Sequence, residues 1–130
     1  MILSVPISFD LVQVYLSKFE DHGSDVGGDI FQFDSQSLLL RNFTYSGTGP
    51  DVFLIGGVSG EPSSSPDVVF PFPFPGQHLE FDDERIEKYP GFDGSRDILL
   101  TLPDNIEVSE LRWLSVWCRQ FGANFGEAFL

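Results

Sequence analysis

The chain has little sulfur and little positive charge: one Cys, one Met, and seven Lys and Arg against twenty Asp and Glu in 130 residues. A lone Cys118 excludes an internal disulfide, so cysteine usage does not reveal the redox compartment. It leaves a free thiol, a metal or haem ligand, or an intermolecular bridge. The formal net charge of −13 makes a surface that repels phosphate backbones, so nucleic acid is not an expected partner, whereas cationic partners stay open. The soft or borderline metal ligands are Cys118, His22 and His78, too few and too scattered for a structural zinc site. No GxSxG motif is present and no base stands at motif spacing from the cysteine, so no independent catalytic activity is expected. The acidic run at 82–87 and the pair Asp93 and Asp97 lack calcium-loop spacing and read as a solvated face.

Long apolar runs are missing as well. The first twenty residues carry no Lys or Arg before Lys18, and Asp10 and Gln13 interrupt their apolar stretch. Neither a signal peptide nor direct membrane insertion is expected from this segment, and an exported protein would take its leader from outside this chain. Helical periodicity is equally scarce. Over residues 9–19, Leu11, Tyr15 and Phe19 recur at spacing four while Val12, Val14 and Leu16 alternate; a short helix outside the main fold is the expectation. Residues 1–21 are thus expected to be an extension and 22–130 one β domain.

Aromatic residues, glycine and proline are plentiful: 15% of the chain is aromatic, with fourteen Phe, thirteen Gly and nine Pro. This is a globular composition rich in turns. Residues 29–34 and 37–45 read as a hairpin, 51–58 as a third strand after the dense turn at 46–50, and 96–103, 110–121 and 124–130 as further strands. Alternating Phe and Pro at 70–75 cannot run through a central strand, because each Pro removes a ladder donor; 59–81 is expected to be a long loop or edge segment whose Phe70, Phe72 and Phe74 fold back as a cover. Residues 82–95 read as one helical turn or a polar loop. The fold class expected is an all-β antiparallel sandwich or small barrel.

Strand parity sets the surroundings of Cys118. Leu111, Trp113, Ser115 and Trp117 share one face of the 110–121 strand; Arg112, Leu114, Val116 and Cys118 share the other. Both faces are apolar, so the strand is expected to be central. Arg112 lies about 20 Å from Cys118 along an extended strand, beyond a Debye length of about 8 Å, and Arg119 points to the opposite face. Neither activates the thiol, so the strand alone favours an inert buried cysteine. Haem stays open, because one thiolate or imidazole can serve as axial ligand. Asn42-Phe43-Thr44 has the form of an N-glycosylation acceptor, which requires Asn42 to face solvent if 37–45 is a strand.

The segments SLLLRNFTYSGTGPDVFLIGG (37–57), RDILLTLP (96–103) and LRWLSVWCRQFGANFGEAFL (111–130) resemble, in order and spacing, the DM-thirteen domain, a proposed electron-transfer module of Skeletor-type proteins often found beside DOMON domains. The resemblance spans residues 22–130. It implies an extracellular or membrane-tethered domain of a larger precursor, with Cys118 as redox thiol or haem ligand, or with no cofactor at all. Trp113, Trp117 and Phe125 would pack around the sulfur, and His22, in the opening His-Gly, would be a second ligand. Its partners would be other domains of a redox chain. Residues 68–76 and 80–92 depart from the pattern, so no ligand contact is carried over to 59–95. Two alternatives stand beside it: a cell-surface or matrix interaction domain with Cys118 in the core, and a covalent dimer through an exposed Cys118.

Overall fold

The computed structural model describes residues 13–72 and 87–130. In chain order its strands are β1 (Val14–Lys18), β2 (Glu20–Asp21), β3 (Gly27–Asp34), β4 (Ser37–Tyr45), β5 (Val52–Gly57), β6 (Val68–Phe70), β7 (Phe92–Asp93), β8 (Ile98–Thr101), β9 (Trp113–Cys118) and β10 (Ala123–Phe129). A 3-10 turn at Val108–Glu110 interrupts them, and the described residues contain no α-helix. One sheet runs β1-β3-β4-β7, with β8 also on β4; the other runs β2-β10-β9-β5-β6. All pairs are antiparallel, and the sheets form a sandwich that does not close into a barrel.

The core lies between the sheets. Ile30, Leu38, Leu40, Ile98 and Leu100 reach it from the first sheet, and Val52, Leu54, Leu114, Val116 and Cys118 from the second. Burying one such aliphatic side chain stabilises by about 1.5–3 kcal/mol. Phe70 belongs to this core and Phe72 packs against it, as expected of a cover, while Phe74 and His78 lie outside the described residues. The edge position of β6 agrees with a segment too rich in proline to be central.

A bulge decides which side chains of β4 reach that core. Thr44 pairs Gly27 and Arg41 pairs Asp29, so Asn42 and Phe43 together face Gly28. The extra residue shifts the alternation: Leu38 and Leu40 point inward before it, Phe43 and Tyr45 after it, and Arg41 and Asn42 are both exposed. Gly28 permits the bulge. Its φ is +124°, and a Cβ there would lie 2.9 Å from the Phe43 Cα and 3.1 Å from the Arg41 carbonyl oxygen.

Two expectations are corrected. The described part of 9–19 is strand, not helix: Tyr15 pairs Phe31 and their rings meet edge-on with centroids 5.5 Å apart. Cross-strand packing of aromatic and β-branched residues outweighs the spacing-four pattern, and residues 9–12 lie outside the described residues. Residues 14–21 are joined to both sheets, β1 to β3 and β2 to β10. Within 82–95, residues 82–86 lie outside the described residues, 87–91 are irregular and Phe92–Asp93 is β7. Tyr89 fixes the irregular stretch: its N–H donates to the Val52 carbonyl, and its buried hydroxyl donates to the Phe70 carbonyl.

Gly28→Ala should lower the unfolding free energy by about 1–3 kcal/mol through positive φ and backbone crowding, measured by denaturant melts. Asn42→Gly, at φ +57°, should cost less than 1 kcal/mol, since glycine enters the left-handed region freely.

Candidate redox site

Cys118 ends β9, where strands flank it on both sides: Val52 of β5 and Ala123 of β10 are its partners. Its side chain is fully buried in the inter-sheet core with Leu114 and Val116. The parity reading therefore holds within Trp113–Cys118, but Leu111, expected on the tryptophan face, precedes the strand and packs in the inter-sheet core instead. Arg119, the next residue, turns to the other face, where its guanidinium lies 4.6 Å above the Phe53 ring and donates two hydrogen bonds of 3.0 Å to the Asp51 carboxylate.

A phenol stands near the sulfur instead. Tyr45, brought inward by the β4 bulge, accepts a 2.8 Å hydrogen bond from the Gly49 N–H. Burial raises its pKa above the ordinary value, the Gly49 bond works against that rise, and the neighbouring sulfur adds to it. Glycine is required at 49, because a Cβ would run into Val52, the Tyr45 hydroxyl and the Phe125 ring. Tyr45 also forms part of the wall of an open cleft of about 530 Å³, together with Phe72, Phe92, Asp25, Asp93 and Arg96. Cys118 and His22 do not line it.

Trp113 and Trp117 do not surround the sulfur. They belong to a separate buried cluster with Phe53, Ile55 and Val69 on the opposite face of the second sheet. Trp113 Nε1 donates to the Ser59 carbonyl at 3.1 Å, whereas the buried Trp117 Nε1 has no hydrogen-bond partner among the described residues. Phe125 does pack against the inter-sheet core that holds Cys118.

His22 is half exposed, and its Nε2 lies 2.7 Å from Glu127 Oε1. A second bulge builds the group it joins. Asn124 pairs Trp117 and Gly126 pairs Val116, so the extra Phe125 puts Asn124 and Glu127 on one face. Asn124 Nδ2 donates to Glu127 Oε1 at 2.9 Å, and the buried Ser115 hydroxyl donates to Asn124 Oδ1 at 2.8 Å. Parity showed Ser115 beside the tryptophans. The link from His22 to Glu127, 105 residues apart, is beyond local patterning.

Haem ligation by Cys118 does not fit this packing. An axial thiolate must face an open plane, whereas this sulfur is enclosed, and the His22 imidazole is engaged by Glu127 on the other face. Among the described residues no group of three or more His, Cys, Asp or Glu side chains could hold a metal ion.

Residues 18–130 match the family model described as "Electron transfer DM13". The chain belongs to this family. It is 28% identical over 112 residues to the Drosophila melanogaster protein Skeletor, isoforms B/C, and equally to isoforms D/E. Each match covers 82% of this chain but 12% and 6% of the respective relatives, so the chain spans a small part of their length. No solved structure matches. The expected resemblance and the all-β class are thereby established, and the family description makes electron transfer the role to explain. No helix of the described residues is long and apolar enough to cross a membrane.

Two measurements probe these contacts. Tyr45→Phe leaves the Gly49 N–H unpaired in a buried site and should cost about 1–3 kcal/mol. The hydrogen bond to Glu127 raises the pKa of His22 above 6.5, with burial acting against it. Its stabilisation is therefore full below pH 6.5 and fades as pH rises through the folded-state value. NMR titration should show a midpoint above 6.5 that drops in Glu127→Gln.

Proposed function

We propose that the domain passes single electrons within a larger extracellular or membrane-tethered protein, and that Cys118 is the thiol whose oxidation state changes. Its partners would be neighbouring domains of a redox chain, and its acidic surface suits cationic ones. The observation that supports this reading is the placement of the chain's one thiol beside Tyr45, inside a dry core at the end of a strand. There the sulfur is shielded from disulfide exchange, while the adjoining turn, with Phe121 62% exposed, keeps the route to the surface short. Oxidation of the thiol to a thiyl radical gives one electron to the neighbouring domain and releases one proton, so its potential should fall by about 59 mV per pH unit.

A second reading has its own observation. With 0% exposure, Cys118 also suits a core residue in a cell-surface or matrix interaction domain. A covalent dimer through Cys118 is disfavoured by the same burial.

Protein-film voltammetry with native-state alkylation separates the readings. Cys118→Ala is the suitable variant: it should cost about 1–2 kcal/mol, whereas Ser would bury an unpaired hydroxyl. A one-electron, pH-dependent wave lost in Cys118→Ala supports the redox thiol. A silent native protein whose thiol reacts with oxidant and alkylating reagent only after unfolding leaves the structural role.

A further inference from the structure

We propose that Asn42 is an N-linked glycosylation site. It opens the tripeptide Asn42-Phe43-Thr44, whereas Asn105 and Asn124 are followed by Ile106-Glu107 and Phe125-Gly126 and have no hydroxyl at the required place.

Sequence form alone is a weak signal, and a tripeptide inside a nine-residue strand is usually a poor one. In an unbroken strand Asn42 would point the same way as Leu38 and Leu40, both 0% exposed. A glycan could not be housed there. The bulge opposite Gly28 removes that obstacle: it turns Asn42 outward, beside the exposed Arg41, and sends Phe43 into the core at 1% exposure. The bulge thus gives the folded domain room for a branched polar chain at this one position of β4. The Asn42 amide is also uncommitted, making no hydrogen bond to the described residues, in contrast to Asn124, whose oxygen accepts from Ser115 and from the Gly126 N–H. Transferring a sugar to Asn42 therefore breaks no native contact.

The reaction is a group transfer. The donor is an oligosaccharide on a lipid diphosphate. The bond from its anomeric carbon to the diphosphate breaks, a bond from that carbon to Asn42 Nδ2 forms, and one amide proton is lost as the lipid diphosphate departs. The site rests on passage through a secretory route, in keeping with the location proposed above. It is independent of any redox role for Cys118, which sits in the core of the opposite sheet.

The test is to express the full chain behind a secretion leader in animal cells, so that the result does not depend on the natural route. The secreted wild type should run heavy on a gel and return to the unmodified mobility after peptide N-glycosidase, with Asp appearing at position 42. Thr44→Ser should keep the shift; Thr44→Ala and Asn42→Asp should lose it. Asn42→Asp is preferred to Gln because Asp, like Asn, accepts the φ of +57° found here. A secreted, folded wild type whose mobility is untouched by the enzyme overturns the proposal, as does a shift that persists in both Asn42→Asp and Thr44→Ala.

Discussion

The single constraint on which the structure turns is the close approach of Gly28 to the bulged pair Asn42 and Phe43. A strand of nine residues alternates strictly, and without the extra residue either Leu38 and Leu40 or Phe43 and Tyr45 would have to leave the core. With it, all four point inward. The same step brings the Tyr45 phenol toward the second sheet, where it meets Gly49, Val52 and the end of β9. The surroundings of Cys118 therefore depend on a glycine ninety residues earlier that never touches it.

The second sheet repeats the device. Phe125, the extra residue of β10, lets Asn124 and Glu127 share a face and join Ser115 and His22 in one hydrogen-bonded chain. One bulge thus serves the buried side and the other the polar side. Between them β9 carries two dry faces, one built of aliphatic side chains and sulfur, the other of indoles. This separation is the main fact for any electron-transfer role, since the tryptophans and the thiol occupy different layers.

Most strands could be read from alternation and turn residues, because sandwich strands carry their pairing pattern locally. Parity on β9 alone already set Trp113 and Trp117 opposite Cys118; grouping them around the sulfur ran against it. The bulges could not be read, since one extra residue leaves composition unchanged and shows only against the partner strand. β1 was misjudged because five residues fit both periods, and the choice was made by Phe31 across the ladder. Tyr89 and the His22–Glu127 contact are set by tertiary placement, to which a one-dimensional pattern gives no access.

The sheet margins have a consequence for a module that occupies a small fraction of longer relatives. β2 and β7 are two residues long, β6 three and β8 four, and the register of β1 shifts between Tyr15 and Ser17. Short or irregular borders offer poor templates for strand addition, and a surplus of thirteen negative charges makes copies repel one another. A domain with such borders keeps its own strands to itself when it is crowded against others.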